Sequence, residues 1–141
     1  MRTVAIVVVL VALTATARAE DVVGSYDAKF DQLANNCEHA QTLSHTTVRL
    51  DVKKTSLTVN IETIPQMVGA AEKSGKVTAK SKLGPSIIQG IDATYRVAGR
   101  IADGGMLQLV LIAEYSIKGK ATCTQSWNIA GLRQDKSAAK P

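Results

Sequence analysis

Two cysteines and two histidines are the side chains here best suited to nucleophilic, redox or metal chemistry. His39 and His45 fall in the same polar stretch, with Glu38 beside the first. A metal held by two histidines wants tighter spacing or a third ligand brought in by the fold, so the pair reads as solvated surface histidines. Cys37 and Cys123 would be candidate nucleophiles in a reducing compartment and candidate disulfide partners in an oxidising one. The chain carries no G-x-S-x-G elbow, H-E-x-x-H pair, P-loop or G-x-G-x-x-G turn. Its carboxylates are scattered over polar strand faces and turns. Strands could bring Asp51, Glu62 or Glu114 together as an acid/base pair, but no spacing singles one out. The sequence therefore nominates no catalytic residue, no metal ligand set and no cofactor.

The cysteine question turns on the compartment, and the first residues address it. The chain opens MRTVAIVVVLVALTATARAEDVV, a positive start followed by an uncharged apolar run from Val4 to Ala17. That run is shorter than the roughly 20 apolar residues that span a bilayer. Ala17-Arg18-Ala19 is a small-x-small cleavage pattern, so residues 1–19 read as a secretory signal peptide with Glu20 as the mature start. The expected location is secreted or periplasmic, without stable membrane insertion after cleavage. Export makes a Cys37–Cys123 disulfide the expected state, with free or intermolecular thiols as the alternative. The formal charge is +5 for the full chain and becomes +3 once Arg2 and Arg18 are removed. That mild excess suits weak attraction to anionic surfaces and does not imply nucleic acid.

The rest of the chain alternates. GSYDAKF predicts a first strand, ending in a helical turn near Asn35-Asn36. In TTVRLDVKKTSLTVNIETI, pairing Val52 with Leu57, Leu50 with Val59 and Val48 with Ile61 keeps one face apolar, which predicts a hairpin in that register. Pro65, Gly69 and Gly75 predict a loop or short helix over PQMVGAAEKSGK. KVTAKSK reads as a weak strand, and LGPS as a turn. A three-residue loop at Asp103-Gly104-Gly105 pairs Ile101 with Leu107, Gly99 with Leu109 and Val97 with Leu111. A second three-residue loop, Lys118-Gly119-Lys120, pairs Tyr115 with Cys123, Leu111 with Trp127 and Leu109 with Ile129. Gly99 opposite Leu109 marks a place where the sheet can bend. The fold class is all-β: an antiparallel meander of seven or eight strands forming a small barrel or strongly curved sheet. Residues 20–133 form one domain and residues 134–141 a disordered tail.

Two groups of residues are candidate contact sites. The registers put Tyr95, Tyr115 and Trp127 on the inward face of three adjacent strands with Leu107, Leu109 and Leu111. They line a ligand pocket if the barrel is open, and are core if it is filled. Lys73, Lys76, Lys80 and Lys82 form a basic cluster that could meet lipid head groups, acidic glycans or nucleic acid. The absence of stacking aromatics there argues against nucleic acid. The alternative is a set of lysines guarding an exposed sheet edge.

Gly24-Ser25-Tyr26 stands where lipocalin and calycin barrels carry a Gly-x-Trp on the first strand, and Gly131-Leu132-Arg133 places an arginine after the last. The chain resembles that group of small secreted β-barrels. The resemblance implies an antiparallel barrel holding a small hydrophobic ligand, with Arg133 packed over the first-strand aromatic and a disulfide from an early segment to a late strand. Together these features predict an exported, non-enzymatic binding protein. The alternatives are a protein-interaction barrel such as a periplasmic protease inhibitor, presenting IPQMVGAAEKSG, and a small enzyme with an unrecognised site.

Overall fold

The computed structural model describes residues 22–38 and 41–134. The signal-peptide segment 1–19, the mature start at Glu20, His39 and all of the tail beyond Gln134 lie outside the described residues. The strands in chain order are β1 (Gly24–Asn35), β2 (His45–Lys53), β3 (Ser56–Ile61), β4 (Ile64–Ala71), β5 (Lys76–Lys80), β6 (Gly84–Pro85), β7 (Asp92–Ala102), β8 (Met106–Ile117) and β9 (Lys120–Arg133). Every pairing is antiparallel. The sheet runs β5-β4-β3-β2-β1-β9-β8-β7-β6, and β5 also pairs with β7. That last pairing closes an eight-stranded barrel, with the two-residue β6 attached outside the ring.

Period-2 patterning decides the inside. Tyr26, Val48, Leu50, Val59, Met67, Val77, Tyr95, Leu109 and Trp127 point inward and are buried, while mostly polar or charged residues occupy the outward positions between them. The β2–β3 register is the one expected from keeping its apolar face continuous. The same holds for β7–β8, including Gly99 opposite Leu109.

Three expectations are corrected. First, β1 continues as strand to Asn35, through a register shift between Gln32 and Ala34, with no helical turn. The two asparagines are used in side-chain bonds: Cys37 N donates to Asn35 Oδ1 at 2.8 Å and Thr124 N donates to Asn36 Oδ1 at 2.8 Å. Second, Ile64–Ala71 is strand β4 rather than a loop or helix. Pro65 lies in the irregular stretch of the β3–β4 ladder between Val59 and Ile61. Gly69 does not break the strand. A Cβ there would collide with the Thr78 carbonyl and lie 2.6 Å from Ala79 Cα, so glycine is what permits this close approach to β5. Third, the β8–β9 connection is a two-residue turn, Lys118-Gly119, with φ of 51° and 82°. A register shift after Tyr115 then restores the expected pairs of Tyr115 with Cys123 and Leu111 with Trp127.

The barrel ends are closed differently. At the β1 start, the Arg133 guanidinium carbon lies 6.0 Å from the Tyr26 ring centroid, and Tyr26 OH donates to Val22 O at 2.7 Å. At the opposite end the connection after β1 brings Gln41 inside. Gln41 Oε1 accepts from Tyr95 OH at 2.9 Å and Tyr115 OH at 3.3 Å. Tyr115 OH also lies 2.9 Å from Gln125 Oε1, and Gln125 Nε2 donates to Gln41 O at 2.7 Å. Cys37 and Cys123 are joined beside this network.

Candidate contact surface

The ring closes at β5, and the cations collect on its outer face. Lys76, Thr78 and Lys80 alternate outward from Val77 and Ala79. The β5–β7 register sets Lys76 against Arg100, Thr78 against Ala98 and Lys80 against Arg96. Two like-charged pairs therefore face each other across one ladder, about 13 Å apart along the strand. Lys73 precedes β5 in the hairpin from β4 and Lys82 follows it. Directly opposed like charges destabilise a sheet. Only part of the charge is offset: Arg96 Nη1 lies 3.2 Å from Glu114 Oε1, and Arg100 Nη2 donates to Ser74 O at 3.3 Å.

An uncharged row separates the cation pairs. Exposed Ala70 of β4 and Ala98 of β7 flank Thr78, and exposed Val68 lies opposite Lys80 in a shallow groove of about 350 Å³ that also touches Arg96. A second groove, of about 310 Å³, lies by Lys76, Arg100 and Gln108. Gly69 and Gly99 each line one of these grooves.

This placement changes the reading of the lysines. β5 is hydrogen-bonded to β4 on one side and β7 on the other, so it is no edge, and its lysines have no edge to guard. Arg96 and Arg100 join the surface only through barrel closure. Their outward direction follows from alternation, but no local turn announces the β5–β7 pairing.

The structure brings Tyr95, Tyr115, Trp127, Leu107, Leu109 and Leu111 together on the inward face, each no more than 1 % exposed. These six side chains belong to the buried core cluster. Gln125 is the inward polar residue of β9, and its need for a partner was the available sign of the Gln41 network. His45 sits on β2 with Nε2 2.8 Å from Asp27 Oδ1, both well exposed. Asp51 pairs with Arg49 at 3.0 Å, Glu114 pairs with Arg96, and Glu62 lies in the β3–β4 turn, so the three acids are not brought together.

Burial shapes the tyrosine chemistry. Desolvation pushes Tyr95 up to about 12, with a smaller opposing effect from its hydrogen bond with Tyr115. Desolvation pushes Tyr115 higher still, reinforced by Tyr95. Burial also raises Tyr26, partly offset by Arg133. The folded state thus holds its phenols neutral where an unfolded chain ionises them near 10. Tyrosine-linked stability is fully present below pH 10 and is lost as pH climbs from there through 12. The tyrosinate absorbance band should therefore appear only together with alkaline unfolding. A reversible step near pH 10 in the folded protein would contradict this packing.

No known family matches the chain, and no curated protein or solved structure is significantly similar to it.

Proposed function

We propose that the protein is an exported, non-enzymatic binding barrel whose outer β5–β7 wall takes an acidic segment of a partner protein. The observation that carries this reading is the pair of opposed like charges, Lys76 across from Arg100 and Lys80 across from Arg96, on either side of the uncharged row Ala70, Thr78 and Ala98. An arrangement that costs stability in the free protein is relieved when an anionic partner lies across it. Exposed Val68, Ala70 and Ala98 beside the cations suit a segment carrying both acidic and apolar side chains. The wall offers no aromatic ring for base stacking, which favours a protein partner over nucleic acid. The packed interior supports a surface-binding role over a small hydrophobic ligand held inside. IPQMVGAAEKSG contributes through β4 and the Lys73 hairpin rather than as a free inhibitory loop. The Cys37–Cys123 bond fits an oxidising compartment, consistent with a secreted or periplasmic location. Kinship with lipocalin-like barrels is supported by the closed eight-stranded ring and by Arg133 over Tyr26.

The test separates stability from binding. Lys76→Glu and Lys80→Glu each replace a repulsive cross-strand pair by an attractive one and should raise stability by about 0.5 kcal/mol. The double variant should bind a fluorescent Glu-Val repeat peptide roughly tenfold more weakly than the parent at low salt, by anisotropy titration. Equal binding by both proteins would remove the wall from the function.

A further inference from the structure

The end of the barrel where β5 stops carries a different surface. Besides the connections from β1 to β2 and from β3 to β4, two loops reach that end side by side: residues 81–91, between β5 and β7, and the β8–β9 turn around Lys118. Within the first, Gly84 pairs with Ala93 and Pro85 with Asp92, while Asp92 pairs with Ser116 at the end of β8. The two loops therefore lie on neighbouring strands at one end.

The longer loop is held in shape. Tyr95 N donates to Ser81 Oγ at 2.9 Å, Ser86 Oγ donates to Ile91 O at 2.7 Å, and Ile88 N donates to Ser86 Oγ at 3.0 Å. Ile88 and Ile91 pack against the core. Leu83 and Ile87 do not: they are 58 % and 55 % exposed, and Ile117 on the neighbouring strand is 42 % exposed. Lys82 adjoins Leu83, and Lys118 and Lys120 follow Ile117. Neither residues 81–91 nor residues 116–121 contain an acid.

Interleaved lysines and large apolar side chains on fixed loops match one environment closely. A protein interface concentrates apolar residues at its centre and moves charge to the rim. A bilayer interface accepts both on the same loop, because apolar groups sink into the acyl boundary while lysine ammoniums reach lipid phosphates. We propose that these two loops dock on an anionic lipid surface, with Leu83, Ile87 and Ile117 in the boundary and Lys82, Lys118 and Lys120 on the head groups, on the side of the barrel end away from Glu62 of the β3–β4 turn. The docking is peripheral: among the described residues no helix is long and apolar enough to cross a membrane, and the barrel's outer strand positions are polar or charged over most of β1–β3.

The chain, purified as the expressing cell processes it and with its N-terminus read by intact mass, is titrated with two vesicle types. One is phosphatidylcholine alone and the other mixes phosphatidylcholine with phosphatidylglycerol. Binding is expected only to the mixed vesicles and should weaken as salt rises. Leu83→Ser with Ile87→Ser, and separately Lys118→Glu with Lys120→Glu, should each lower that binding roughly tenfold or more. All variants share one N-terminus, so the differences report the loops. Circular dichroism confirms that each folds. Lys76→Glu with Lys80→Glu should lower vesicle binding less than either loop variant, since both lysines lie on the side wall of the barrel rather than on the two loops. Equal binding to both vesicle types, or loop variants that bind like the parent, would overturn the proposal. So would a loss confined to the wall variant.

Discussion

Replacing Cys37 and Cys123 together with alanine is expected to lower stability by about 4–5 kcal/mol. The bridge spans 86 residues, and closing a loop of that length removes much of the unfolded chain's freedom. The native state also depends on it locally. Asn36 N donates to Thr124 O at 3.2 Å and Thr124 N donates to Asn36 Oδ1 at 2.8 Å, so the bridge clamps the segment after β1 to β9. Gln41 follows a few residues later, and its carbonyl and amide oxygens receive bonds from Gln125, Tyr95 and Tyr115. Releasing the clamp leaves these buried polar groups held by a free loop, and an unpaired buried group costs about 1–3 kcal/mol. Urea unfolding with and without reductant measures the effect, and free-thiol titration confirms the state of the parent. A change below about 1 kcal/mol would show that neither loop entropy nor the clamp matters here.

Gly99→Ala should cost about 2–4 kcal/mol, a large effect for a single methyl group. A Cβ at Gly99 would run into the Gln108 carbonyl and stand 2.7 Å from Leu109 Cα. Both obstacles are backbone of the paired strand, so relief requires β7 and β8 to separate there. Gly99 also faces Val77 across the ladder that closes the ring. Its loss therefore strains both neighbours of β7 at once. Thermal unfolding followed by circular dichroism reports the cost, and Gly104→Ala is the comparison. No heavy atom lies within 4 Å of a Cβ at Gly104, so its cost comes from its φ of 88° alone. A Gly99→Ala protein as stable as the parent would mean that the barrel can flatten there without penalty.

Much of the fold is legible in the residue order because the strands are joined by short turns. Once Lys54-Thr55 or Asp103-Gly104-Gly105 reverses the chain, only one register keeps Leu50 with Val59, or Gly99 with Leu109, on the buried side. A slip by one residue would turn every apolar side chain outward. The same logic survived an error at Lys118-Gly119, because the bulge that corrects the shorter turn returns Tyr115 to Cys123. It failed at β4. Pro65 and Gly69 resemble breakers, and the close approach to Thr78 and Ala79 that requires a glycine is a contact with a different strand.

The sequence by itself determined the all-β class, the inward residues of the hairpins outside β4 and most hairpin registers, since period and turn chemistry act over neighbouring residues. It also nominated the cysteine pair. Only the tertiary structure decided that β5 meets β7, that Arg96 and Arg100 stand opposite Lys80 and Lys76, and that Gln41 fills the barrel end with the two buried tyrosines. Those contacts join residues that no turn connects. They form because a curved sheet with an apolar inner face lowers its free energy by pairing its last free edges, and that closure is a property of the whole ring.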